Sequence, residues 1–182
     1  MMNRTITALL AAAVASVMLL STLPAAAQAN IAVVDHEFLV QNSEVGKSIR
    51  TQMEKLRAND ERALAAEQEN LTKLEQTLSQ QRATLAADEY QKRLQEIRQK
   101  SAEFQRDVQQ REGKLEGAFR NAGVKVENAM AQIVDEISKE RNFAMTIRRF
   151  AVIGNTSFPD ITQEVLKRLN QRMPSVVVEL PK

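Results

Sequence analysis

The sequence predicts a mostly α-helical protein in which a long antiparallel helical hairpin is attached to a small β body. Three observations carry this reading. No proline occurs between Pro24 and Pro159 and no glycine between Gly46 and Gly113, while Glu, Gln, Arg, Lys, Ala and Leu, all good helix formers, fill the interval. Leu64, Leu71, Leu78 and Leu85 recur every seven residues, as do Tyr90, Ile97 and Phe104, which is the spacing of a coiled-coil seam. Short β-branched and apolar runs flank this stretch on both sides.

Residues 1–29 read as an export leader. Arg4 and the amino terminus give a positive start, an apolar run extends from Ala8 to Leu20, and two A-x-A sites end at Ala27 and Ala29. The run is short for a membrane span, and cleavage after Ala29 is expected because Asn30 already opens a strand. The chain has no cysteine, so neither a lipid-anchoring thiol nor a disulfide framework is available. Stability must come from helix packing or from oligomerisation.

Asn30–Glu37, NIAVVDHE, reads as a buried strand ending at His36. The hairpin then occupies 45–140. A break is expected at Ala86–Asp88, because Asp88 followed by Gln91 repeats a capping pattern, and this sets the tip near 86–89. Folding the chain there pairs Leu85 with Tyr90, Leu78 with Ile97, Leu71 with Phe104, Met53 with Ala122 and Ile49 with Val126, apolar against apolar. Each arm should reach about 60 Å at 1.5 Å per residue. The seam is interrupted by Asp60, Glu67, Gln81, Ser101 and Arg111, and Gly113, Gly117 and Gly123 cluster where the second helix returns. Those glycines serve either close packing of small residues or a softened hinge that lets the arm splay.

Beyond the hairpin, Arg141–Asn155 reads as two strands split by Arg148-Arg149, with a turn at Gly154-Asn155. Asp160, with Gln163 three residues on, should cap a last helix whose apolar face is Ile161, Val165, Leu166 and Leu169 and which Pro174 stops. The tail, Ser175–Leu180, reads as a further edge strand or a free end. Residues 30–44 and 141–182 thus form a β-rich body. Its strands are too short for a stable sheet in a monomer, so Ile31, Val33, Phe143, Met145, Ile147, Val152 and Ile153 should need partners from other chains.

The residues that enzyme chemistry needs are missing. There is one histidine, His36, and no cysteine, so the usual metal-ligand sets and thiol nucleophiles are absent. Carboxylates along the hairpin alternate with Lys and Arg as on a solvated helix face, and no pair stands out for acid–base work. No phosphate-binding loop appears, and aromatics are too sparse to stack nucleic acid. The sequence therefore predicts a binder or scaffold: no enzyme, no cofactor, no metal, no nucleic acid. Net charge is +2, and the leader removes only Arg4. The region from Arg141 to the end is basic, with seven Lys or Arg against three acidic residues, which reads as a solvated face or as a contact for anionic lipid or an acidic client.

The ends of the exported chain carry a pattern. Ile31–Ile49, IAVVDHEFLVQNSEVGKSI, resembles the opening strand, short helix and S-x-x-G-K turn of the Skp/OmpH family of periplasmic chaperones. Asp88–Leu94, DEYQKRL, is similar to the start of that family's returning arm. Phe158–Asn170, FPDITQEVLKRLN, is similar to its closing D-I-T-x-x-V-L helix. The resemblance covers nearly all of the sequence after the leader, in the same order. It implies a homotrimer in which the strands of three chains form a short-stranded trimerisation barrel, with helical arms around a cavity. It further implies an ATP-independent holdase that binds unfolded outer-membrane proteins in the periplasm and delivers them towards the outer membrane. This chain departs in Thr146-Ile147-Arg148-Arg149-Phe150, where relatives often carry an acidic residue, and in the added tail Met173–Lys182. The alternatives are a structural periplasmic spacer or tether, which would want a more regular seam and an anchor, and an export-pump adaptor. The latter needs larger β domains than about 15 residues before the hairpin can supply.

Overall fold

The computed structural model describes residues 30–154 and 157–181. The leader and its cleavage site lie outside the described residues, as does Asn155 of the expected turn; Gly154 itself takes a left-handed φ of 94°.

Strand β1 (Ile31–Val34) is followed directly by a helix. The Asp35 carboxylate accepts the Phe38 N–H at 2.9 Å and so caps α1 (His36–Asn42). His36 and Glu37, expected at a strand end, are therefore the first helical residues. Ser43, fully buried, closes α1 and opens α2 (Glu44–Gln80): its N–H donates to the Leu39 carbonyl at 2.9 Å, and its Oγ accepts from the Gly46 N–H at 3.1 Å. Gly46 is obligatory there, since a Cβ would lie 2.0 Å from the Val40 carbonyl oxygen. The S-x-x-G turn is thus a helix–helix corner in which Ser43 serves both ends and Gly46 permits the close approach.

Helix α2 has 37 residues, about 55 Å. A 3-10 turn at Gln81–Ala83 and the next three residues reverse the chain into α3 (Ala87–Glu140). The reversal therefore occupies 81–86, about a turn before the expected Ala86–Glu89. Ala86 holds the N-cap position without a side-chain bond, and Asp88 lies inside the first turn, where its charge suits the helix dipole but caps nothing. Gln81 instead fixes the tip, accepting from Arg93 Nη1 at 3.0 Å. At its far end α3 closes on Asn142 at φ 54°: the Phe143 N–H returns to the Ser138 carbonyl at 2.9 Å and the Asn142 N–H to the Lys139 carbonyl at 3.4 Å, a Schellman cap.

Strand β2 (Met145–Arg148) pairs parallel with β1, Ile31 opposite Met145 and Val34 opposite Arg148, with the whole hairpin as crossover. The other edge of β1 is taken by the chain entering the last helix: Val33 N–H donates to the Pro159 carbonyl at 2.8 Å, and Ile161 N–H donates to the Val33 carbonyl at 2.9 Å. The second strand expected within Arg141–Asn155 is not formed. Arg149–Ala151 turns as a 3-10 segment directly after β2, and Val152-Ile153 does not fold back along the outer edge of β2, which stays open. Helix α4 (Thr162–Arg172) follows, with Asp160 Oδ1 accepting the Thr162 N–H at 2.8 Å; Gln163 stays exposed.

The core sits in this base. Leu39, Val45, Ile133, Ile137, Ile161, Val165 and Leu169 are almost fully buried, joined by Ile49, Met53, Ala118, Ala122 and Val126 at the root of the hairpin. Between Leu56 and Leu115 only Leu71, Leu78 and Ile97 are buried among the apolar residues. The tail neither adds a strand nor hangs free: it runs extended along the root of the hairpin, with Val178 buried in the same core.

Candidate functional surfaces: base and arm

The two end motifs, far apart in sequence, meet in the base. The Asp35 N–H donates to Thr162 Oγ1 at 2.8 Å, and Thr162 is buried. The Glu44 N–H, at the exposed start of α2, donates to Asn170 Oδ1 at 2.9 Å. Burial pulls the Asp160 carboxyl upward, but bonds from Thr162 and the Arg149 guanidinium outweigh it and leave the group below its ordinary range.

The basic excess of the C-terminal region is largely neutralised within the chain. Arg168 forks onto Glu140 at 2.6 and 2.8 Å and also bonds Glu164 at 2.6 Å; Arg172 forks onto Glu136 at 2.7 and 3.0 Å. Arg141 reaches Glu164 at 3.2 Å, Arg148 reaches Glu127 at 3.8 Å, and Arg149 pairs with Asp160 and Asp35. His36 Nε2 also contacts Glu127. The Arg172 and Arg168 bonds hold the Glu136 and Glu140 carboxyls below the usual carboxylate range. Among the described residues no cluster of His, Asp and Glu could hold a metal ion, and no helix is long and apolar enough to cross a membrane.

The seven residues expected to face other chains do not share one environment. Val33 is buried within its own chain, and Ile31, Phe143, Ile147 and Val152 are half-buried, Phe143 against the core. Met145 is 56% exposed and Ile153 96%. Phe150, 82% exposed, and Phe158, 38%, add to the exposed apolar surface of the base and were not singled out from the sequence. Their neighbours Arg149 and Pro159 gave no periodicity to read. On its side away from β1, β2 has no strand neighbour among the described residues, so its main-chain groups there are available for pairing.

On the arm, Leu78, Tyr90, Leu94 and Ile97 line an open groove of about 470 Å³ near the tip. Toward the root, Arg111 bonds Asp107 at 2.7 Å and Asp60 at 2.9 Å, and these carboxylates raise the guanidinium pKa further. This polar layer crosses between α2 and α3, as polar seam residues do when they fix register. Glu67, expected inward, is exposed. α3 runs unbroken through Gly113, Gly117 and Gly123; open space surrounds Gly113 and Gly123, whereas Pro181 of the tail lies where a Gly117 side chain would begin, 3.2 Å from its Cβ position.

The fold is thus a compact α/β base carrying one long helical hairpin, with an open groove near the tip of the arm. The family model for the outer membrane protein (OmpH-like) family matches residues 30–169, and the chain belongs to that family. Among solved structures it is similar to that of a candidate outer membrane chaperone (OmpH-like) from Caulobacter crescentus CB15, with a TM-score of 0.79 at 19% identity, covering 84% of this chain and 90% of the other. No curated protein matches in sequence.

Proposed function

We propose that the exported chain, cleaved near Ala29, is an ATP-independent holdase of the periplasm that binds unfolded outer-membrane proteins and delivers them towards the outer membrane. The observation that carries this is the arm. Its outer half buries only three apolar side chains, so it is almost all surface: two long helices offering shallow apolar grooves among charges. Such a surface suits many weak contacts with an extended, partly apolar chain, released when the client folds elsewhere. Membership of the OmpH-like family and the likeness to a protein described as an outer membrane chaperone support the reading.

The base, residues 30–44 and 141–182, serves as the oligomerisation body of a homotrimer. Met145, Phe150 and Ile153 and the open edge of β2 provide the surface for it. Mixing the purified protein with a urea-unfolded β-barrel protein, without nucleotide, should yield a soluble complex of one trimer and one client in sedimentation. A monomer that leaves the client to precipitate rejects the reading.

A further inference from the structure

The C-terminal tail is held in a way that a casual surface contact would not require. Gln52 of α2 grips its backbone in both directions: Nε2 donates to the Val176 carbonyl at 2.8 Å, and Oε1 accepts the Val178 N–H at 3.1 Å. Those are the two bonds that a neighbouring parallel strand would make around Val177. Side chains alternate accordingly. Val176 is half-buried and Val178 only 8% exposed, while Val177 is 65% exposed and Glu179 faces outward. Further along, Leu180 lies beside Asp60 and Arg111, and Pro181 rests on the bare backbone of Gly117, so the tail spans from α2 to α3.

We propose that this groove at the root of the arm is a binding site for an extended polypeptide segment with apolar residues at every second position, and that the tail is its resident intramolecular occupant. Backbone reading by Gln52 accepts any sequence in extended form, and the slots for alternate residues select the period-two apolar pattern. Strands of transmembrane β-barrels have that pattern. The occupant we assign in trans is therefore an unfolded barrel strand, which displaces the tail; this assignment rests on the holdase reading. A groove filled in cis lowers apparent affinity for a competitor by the fraction of time it is closed.

The test uses the full chain with Val178→Asp, which ejects the tail without touching the helices, and Val178→Ser as a milder release if helicity falls. A fluorescent peptide of residues 174–182 should bind the released variant at least about tenfold more tightly than wild type by anisotropy. Adding Gln52→Ala should weaken that binding by about tenfold, the loss of two hydrogen bonds. A urea-unfolded β-barrel protein should compete with the peptide and be held longer by the released variant. Equal peptide binding by wild type and variant, or none by either, overturns the groove assignment while normal client holding leaves the chaperone reading standing. Peptide binding without any client holding overturns the chaperone reading and, with it, the assigned occupant. Oligomers of wild type that dissociate on Gln52→Ala would show the tail docked in a second copy, and would overturn the assignment to clients.

Discussion

The helical glycines offer a test with opposite signs built in. At Gly46→Ala the new Cβ would stand 2.0 Å from the Val40 carbonyl oxygen and 3.0 Å from Ser43 Oγ, where real contacts keep beyond 3.0 Å. The first neighbour is backbone, so α1 and α2 must separate by about 1 Å, opening the corner that Ser43 caps. Overpacking of this kind costs about 1–3 kcal/mol and a lost cap about 1 kcal/mol, against about 1 kcal/mol gained in helix propensity. The net loss is about 2 kcal/mol, which for a chain of this size lowers the melting temperature by about 4–8 °C. Gly113→Ala and Gly123→Ala meet nothing within 4 Å and should each stabilise by about 0.5–1 kcal/mol, a rise of about 1–4 °C. Gly117→Ala gains the same propensity but crowds Pro181 at 3.2 Å, so its rise should appear only when the tail is released. Melts followed by circular dichroism at one protein concentration decide the matter. A Gly46→Ala protein as stable as wild type, or a destabilised Gly113→Ala, would refute the packing described here.

Other consequences follow from the same geometry. Phe150→Asp with Ile153→Asp should dissociate the proposed trimer while helicity survives, because both side chains are exposed in the single chain, whereas Val33→Asp should unfold the base; sedimentation and circular dichroism separate the two. Cysteines at Leu78 and Ile97, in a chain with no other cysteine, should crosslink within one chain, and crosslinks found only between copies would contradict the fold-back. Because Arg172 and Arg168 hold Glu136 and Glu140 below the ordinary carboxylate range, the stability they contribute is complete above that range and is lost progressively as pH falls from it through their lowered pKa values. Melting temperature should therefore fall less steeply with acid in an Arg168→Leu/Arg172→Leu protein than in wild type.

The hairpin was legible because its determinants are local and repeated: seven-residue apolar spacing, and an interval free of proline and glycine. Its tip was misplaced by a turn because Asp88 and Gln91 imitate a cap, while the bond that fixes the tip joins Gln81 to Arg93 across the reversal. The base was harder to read. Val152-Ile153 forms no strand although the outer edge of β2 stays open: Arg149–Ala151 turns as a 3-10 segment, and the chain runs on to lay Pro159 and Ile161 against β1, a contact more than 120 residues away in sequence. The tail's three valines suit an edge strand as well as a strap, and only the amide of Gln52 decides between them. Phe150 and Phe158 carry no pattern of their own, so their exposure emerges only once the chain around them is folded.

The central claim is that the arm-bearing base holds unfolded outer-membrane proteins without nucleotide. Light scattering from a β-barrel protein diluted out of urea measures it directly. Three chains per client, the proposed trimer, should suppress the scattering with no ATP present, and adding ATP should change nothing. Scattering that rises as fast as in buffer alone, or that falls only when ATP is supplied, would contradict the account.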